Sequence, residues 1–324
     1  MAEYLNPDMI DFEAYEQETD AQQKVRPAGD YVQELIDDLG VSRNENHSYL
    51  PWEKTHGLFQ FRPGEVTLWF GVNGHGKSLA TGQTGLSLCT QDERVCIASF
   101  EMKPRKTLER MARQFSSQAA PTPADVADES ILAAFRDTYE QFRDWTNRRL
   151  WLYDQQGTIK AKQILAVMRY CAKELKITHF FLDNLGKCVL NEDDYNGQKY
   201  LIDEATSIAR DYGMHIHIVH HSKKLASEEA QPDKMDSKGS GAITDQVDNV
   251  LIVWRNKKKE RDGQAGKMVS ATEPDALLIC DKQRNGEWEG RFTLWYERDS
   301  QQFVAAAGAA PLNFYSGFPH RTGF

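Results

Sequence analysis

Eight residues, GVNGHGKS at Gly71–Ser78, constrain this chain more than any other feature. They satisfy the pattern GxxxxGK[ST] in full, and they sit between an apolar run that reads as a strand (GEVTLWFGV) and a run that reads as a helix (SLATGQTGLSLCT). That context is what a phosphate-cradling loop needs. The glycines let backbone N–H groups wrap the phosphates, and the positive end of the following helix faces them. Gly71, Asn73, Gly74, His75, Gly76, Lys77 and Ser78 are therefore expected to bind ATP or another NTP. Lys77 would neutralise the β- and γ-phosphates, and the Ser78 hydroxyl would hold Mg²⁺.

The loop opens a strand–turn–helix pattern that repeats along the chain. RVCIASF, LWLYD, THFFLDNL, MHIHIVHH and NVLIVW read as strands. Residues 104–118 and 128–148, KAKQILAVMRYCAKEL and YLIDEATSIARDYG read as the helices between them, the last closed by Gly213. Such alternation predicts an α/β fold, a mostly parallel sheet flanked by helices. A polar stretch at 256–275 precedes ALLICDKQRNGEWEGRFTLWYERDSQQFV, which reads as C-terminal antiparallel hairpins.

Four regions are expected: an acidic, disordered tail at 1–27, a linker helix and connector at 28–50, the α/β domain at 51–304, and a tail at 305–324. Val32, Leu35, Ile36 and Leu39 recur at helical spacing, so this short helix carries an apolar stripe that must dock somewhere. Charge is uneven too. Residues 1–40 hold eleven Asp/Glu against Lys24 and Arg26, which accounts for the whole net charge of −9. The remainder is neutral and free to carry a local basic groove.

Composition excludes other classes. With 40% hydrophobic and 27% charged residues the chain is globular in balance rather than disordered or fibrous. No apolar run reaches the ~18–20 residues that cross a bilayer, and the acidic N-terminus resembles no secretory signal. Cys89, Cys96, Cys171, Cys188 and Cys280 form no CxxC pair, which suggests reduced thiols and a cytoplasmic location. His215 and His217 share a strand face, but no acidic or Cys ligand lies at a spacing that would complete a metal site.

Further candidates follow from the phosphate loop. Asp183 ends HFFLD, where a carboxylate would face the bound Mg²⁺ directly or through a water. Glu101, just past the second strand, could deprotonate an attacking water or be a surface Glu; the residues alone leave both open.

SFEMKP, FFLDNLGK, HIHIVHHSKK, GSGAITDQVDNVLIVWR and DKQRNG follow the phosphate loop in that order. Together these segments resemble the motifs of DnaB-like (superfamily 4) replicative DNA helicases, above all the helicase half of phage primase-helicases and Twinkle. The likeness spans about residues 50–300. It implies a RecA-like core, a ring that is usually hexameric, and ATP-driven 5′→3′ movement on single-stranded DNA with unwinding of forked DNA. By position, Glu101 resembles the catalytic base, Asp183 the Mg²⁺-associated carboxylate and His221 the γ-phosphate sensor. Lys282 and Arg284 resemble a basic pair that reaches a neighbour's site, Arg284 as an arginine finger, although Asn285-Gly286 beside it also suits a plain hairpin turn. Arg255 and Tyr296 fall where side chains sandwich the base.

Loops at about 185–198, 222–238 and 256–275 would face DNA. The second offers Lys223, Lys224, Lys234 and Lys238, followed by Gly239 and Ser240 at a hinge, and the third opens with Lys257, Lys258 and Lys259. With about 50 residues ahead of the motor, no fused primase is expected, so a separate primase, a polymerase and a single-strand binding protein are the partners implied. A phage or related element would be a fitting source. The sequence also admits a recombinase-like filament ATPase, or a nucleotide-controlled recruitment switch; Glu101 together with Arg284 argues against a slow switch.

Overall fold

A computed structural model describes residues 47–190, 194–221 and 241–315, with Glu3–Leu5 and the isolated helical positions Val32 and Ile36. The strands are β1 Glu3–Leu5, β2 Val66–Gly71, β3 Val95–Ser99, β4 Leu150–Tyr153, β5 His179–Asp183, β6 His215–His221, β7 Asn249–Arg255, β8 Ala276–Gln283, β9 Gly290–Glu297 and β10 Gln302–Val304. They form one ten-stranded sheet in the order β1-β4-β3-β5-β6-β2-β7-β8-β9-β10. From β1 to β7 all neighbours are parallel, and β8, β9 and β10 follow antiparallel. This is the expected fold class.

The helices are α1 Lys77–Thr90, α2 Pro104–Ser116, α3 Pro123–Ala127, α4 Glu129–Thr146, α5 Ala161–Lys173, α6 Tyr195–Tyr212, α7 Gly241–Thr244 and α8 Lys257–Gln264. Every residue of β2, β3, β4 and β5 is buried, as continuous apolar strands covered on both faces must be. One face packs on α5 and α6 through Ile164, Leu165, Met168, Leu201, Ile202 and Ala205. The other packs on α1, α2 and α4 through Leu86, Met111, Phe115 and Phe142.

Three segments differ from their sequence reading. The connector ahead of β2 is a strap: Leu50, Trp52, Phe59 and Phe61 are buried on the α1 face, and Trp52 Nε1 donates to the Phe303 carbonyl at 2.6 Å. The polar stretch at 256–275 begins as helix α8, which buries none of its residues and so left no apolar periodicity to read. The region from 305 is no free tail as far as Tyr315, because Phe314 is fully buried and Tyr315 meets the Phe115 ring edge-on at 5.9 Å. Glu3–Leu5 also falls in the segment read as a tail.

His179, His215 and His217 are packed rather than metal-ligating, and each ring has a fixed tautomer. Trp69 Nε1 donates to His217 Nδ1 at 3.2 Å, so His217 carries its proton on Nε2 and passes a hydrogen bond to His179 Nδ1 at 3.0 Å. His179 Nε2 then faces Ser48 Oγ at 3.3 Å, and Ser48 donates to Glu93. His215 donates from Nδ1 to the Arg62 carbonyl at 2.7 Å and meets the Thr67 hydroxyl with Nε2 at 2.8 Å. Phe181 stacks on His217 at 3.9 Å, and among the described residues no group of three or more His, Cys, Asp or Glu could hold a metal ion.

Burial holds all three rings neutral, pushing His179 down to about 3 and the other two well below their ordinary value. Because the folded values lie under the unfolded value near 6.5, this stability is complete above about pH 6.5 and is lost as pH falls towards 3. His179 contributes a slope of up to about 1.4 kcal/mol per pH unit in that window. Urea unfolding of His179→Gln should show a shallower loss of stability from pH 6.5 to 5 than the parent protein; equal slopes would contradict a neutral, buried His179.

Candidate nucleotide site

Because β2, β3, β5 and β6 run the same way, their C-terminal ends converge on one edge of the sheet, where open α/β sheets bind ligands. Those ends deliver the phosphate loop, Glu101, Asp183 and His221. The loop geometry depends on glycine at two points. Gly71 has φ +152°, and a Cβ there would lie 2.4 Å from the Val253 carbonyl oxygen of β7. Gly76, the N-cap of α1, has φ +90° and would place a Cβ 2.9 Å from the Phe303 ring.

The loop borders a cleft of about 570 Å³. Asn73, Gly74, Gly76, Lys77, Ser78, Glu101, His221 and Arg255 line it, and the buried Asp183 joins them through its hydrogen bond with Ser78 rather than as a lining residue. His75 does not line it. That ring is buried behind the loop, where Nδ1 accepts the Arg255 backbone N–H at 3.2 Å, and burial with the nearby Lys257, Lys77 and Arg255 charges pushes it down to about 4. Lys77 Nζ donates to the carbonyls of Gly71 at 2.6 Å and Val72 at 3.0 Å. Burial pulls Lys77 down to about 8, against the opposing pull of Asp183 and Glu101.

The Ser78 hydroxyl donates to Asp183 Oδ2 at 2.8 Å, while the buried Asp183 Oδ1 has no partner among the described residues. Burial pushes the Asp183 carboxyl upwards. A hydroxyl and a partly unsatisfied carboxylate side by side are hard oxygen donors, so the pair fits Mg²⁺. Across the cleft, Glu101, Asn184 and His221 form a cluster. Asn184 Nδ2 donates to Glu101 Oε1 and lies 2.7 Å from His221 Nε2, which is itself 3.3 Å from Glu101 Oε1. Burial, ahead of the Lys77 charge, lowers His221.

Arg255 and Tyr296 do come together, with the guanidinium carbon 5.0 Å from the ring centroid. That gap is closed to a base, which would need about two separations of ~3.5 Å, so the pair must part to hold one. Arg255 lines the cleft, and both residues line an adjoining hollow of about 130 Å³ with Asn256, Lys259 and Glu260. Lys259 of the segment read as a third DNA loop pairs with Asp275 at 2.8 Å, and Lys257 with Glu260 at 3.4 Å.

Lys282 and Arg284 are not in the cleft. Strand β8 opposes β7, with Ala276 beside Arg255 at the cleft edge and Gln283 beside Asn249 at the other edge. The two ends of β7 are about 20 Å apart at ~3.3 Å per residue. Lys282 Nζ donates to the carbonyls of Thr244, Asp245 and Val247 at 2.8, 3.1 and 2.7 Å. Arg284 Nη1 pairs with Asp248 at 2.9 Å and keeps 40% of its side chain exposed. Lys223, Lys224, Lys234, Lys238, Gly239 and Ser240 lie outside the described residues.

Several lining residues escaped the sequence reading. Asn184 and Lys187 stood inside the recognised FFLDNLGK segment but carried no signal of their own. Arg110 comes from α2 and Gln301 from the turn before β10, each placed only by tertiary packing.

The family profile described as DnaB-like helicase C terminal domain matches residues 54–305. A solved structure titled "The Structure Of A DnaB-Like Replicative Helicase And Its Interactions With Primase" superposes with a TM-score of 0.67 at 14% identity, covering 86% of this chain and 67% of that one. The "ATPase Domain of G40P" superposes with a TM-score of 0.64 at 16% identity, covering 89% of this chain and 99% of that one. At these identities the superpositions establish the fold, a RecA-like ATPase core.

Lys77 generates a direct expectation. A polyphosphate needs its charged form, so affinity for ATP should be level below pH 8 and weaken by up to about tenfold per unit above it. Calorimetric titration from pH 7 to 9.5 reads this, and an affinity unchanged to pH 9.5 would contradict a lysine held near 8.

Proposed function

Because the chain belongs to the DnaB-like helicase C-terminal domain family, we propose that it is the ATP-driven motor of a ring-forming replicative DNA helicase. It translocates 5′→3′ on single-stranded DNA and unwinds the duplex ahead. The observation that carries this reading is the gathering of Lys77, Ser78, Glu101, Asp183 and His221 on one sheet edge, with Arg284 exposed on the other.

In this reading ATP lies in the cleft with its phosphates on the loop N–H groups and Lys77 turned from its carbonyl partners onto the β- and γ-phosphates. Ser78 and Asp183 hold Mg²⁺, which when bound neutralises charge on the phosphate oxygens. Glu101 orients a water and accepts its proton as the water oxygen bonds to the γ-phosphorus and the bond to ADP breaks. His221 donates to the γ-phosphate. Arg255 and Tyr296 part to take the base.

Charge building on the transferring phosphoryl group is met by Arg284, with Lys282 beside it, from the next subunit. A site about one strand length from its own finger supports this trans arrangement. Lys282 reaches a neighbour only by leaving its three carbonyls; held there, it instead braces the turn that carries Asp248 and so the Arg284 pair.

Ring contacts have further support. Val32 and Ile36 are helical and 52% and 53% exposed, on a segment rich in acidic residues. Between α2 and α4 runs an apolar groove of about 670 Å³ lined by Leu108, Ala112, Tyr139 and Phe142, with Arg105, Lys106 and Arg143 at its rim. The apolar stripe of the linker segment of one subunit docks in such a groove on the next. The loop at 222–238, with its lysines, tracks the DNA phosphates without reading bases.

ATP turnover should be stimulated by single-stranded DNA and should rise more steeply than linearly with protein concentration. Removing residues 1–40 should move that rise to higher concentration. Glu101→Gln should abolish turnover while sparing ATP binding. Turnover that is DNA-indifferent and strictly linear in protein would sink the motor reading, and turnover retained by Glu101→Gln would remove the base.

A further inference from the structure

Asn184 follows the Mg²⁺-site carboxylate directly, and its side chain is 98% buried in the one place where the base and the sensor come within reach of each other. Its orientation is not arbitrary. The Lys187 backbone N–H donates to Asn184 Oδ1 at 3.2 Å, capping the short turn Leu185–Cys188. With the oxygen fixed there, the amino group must face Glu101 and His221. It has two hydrogens and, among the described residues, two such acceptors in reach, Glu101 Oε1 and His221 Nε2.

That assignment also sets the histidine. If Nε2 accepts from Asn184, the neutral ring carries its proton on Nδ1. His221 Nδ1 is buried and has no hydrogen-bond partner among the described residues. A buried donor without an acceptor is costly, and because His221 lines the cleft, a ring that turns to bring Nδ1 onto a phosphate oxygen there gains the missing acceptor. A ring drawn to the phosphate leaves Asn184, and the amide no longer spans two partners.

We infer that Asn184 is a positioning residue that ties the base Glu101 to the sensor His221, holding the carboxylate in its resting pose until His221 engages a γ-phosphate. A hydrogen bond to the carboxylate fixes its direction and occupies the oxygen that would take the proton. Release of that bond frees Glu101 for the attacking water. Hydrolysis is thereby confined to the nucleoside triphosphate state without a change in the fold. The inference rests on the proposed roles of Glu101 and His221.

A double-substitution cycle in full-length protein, read as kcat for ATP with single-stranded DNA present, tests it. His221→Ala should lower kcat by about 100-fold in the parent protein, because Asn184 then keeps the base Glu101 in its resting pose. In an Asn184→Ser background, where serine can still cap Lys187 but cannot reach Glu101, the same change should cost less than about tenfold. Binding of ADP, which lacks the γ-phosphate, should be unaltered throughout. Costs that multiply independently would overturn the inference, as would an Asn184→Ser protein that binds ATP but does not turn over, since the amide would then serve the chemistry itself. Asn184→Asp, nearly the same shape, repeats the cycle if the serine protein does not fold. A His221→Ala protein with full kcat would instead refute the sensor role and leave Glu101 untouched.

Discussion

The structure depends on one constraint: a parallel sheet must be covered on both faces, so each strand returns through a helix and every strand of the parallel run ends on the same edge. That edge collects the loop after β2, Glu101 after β3, Asp183 at the end of β5 and His221 at the end of β6. The functional groups are thus neighbours because of topology, although 150 residues of sequence separate Gly71 from His221. Close packing then sharpens the site. Val253 of β7 leaves no room for a side chain at Gly71, and Asp183 reaches Ser78 across the start of α1.

The same topology places Lys282 and Arg284 away from the cleft within one chain. Once β8 reverses direction, its C-terminal end carries Lys282 and Arg284 to the edge opposite the cleft. In the proposed ring this separation would make hydrolysis wait on contact between subunits. Within one chain Arg284 rests on Asp248, whose other oxygen accepts the Val66 backbone N–H at the start of β2. The finger and the strand that bears the phosphate loop are therefore braced by one carboxylate.

Much of this was legible in the sequence because the informative residues are local. The phosphate loop sits between a strand and a helix whose apolar runs are continuous, and HFFLD and MHIHIVHH announce strands by composition alone. What escaped the reading depends on contacts between distant segments. Asn184 is set apart only by meeting Glu101 and His221, 83 and 37 residues away. The closed Arg255–Tyr296 pair, the burial of Phe314 and the strap that buries Trp52 likewise follow from tertiary packing. Helix α8 has no apolar stripe, so periodicity had nothing to detect. His215 and His217 stand out in the sequence as sharing a strand face, but the one-way chain from Trp69 to Glu93 needed the folded register.

The central claim, a nucleotide site completed by a second copy, is tested most directly by mixing two inactive proteins. Lys77→Ala lacks the phosphate-loop lysine and Arg284→Ala lacks the finger, so each alone should turn over little ATP. Co-assembled, an Arg284→Ala subunit still offers an intact cleft and its Lys77→Ala neighbour an intact finger, and turnover should return. A mixture that co-sediments as one assembly yet is no more active than its components, or full activity in Arg284→Ala alone, would contradict the account.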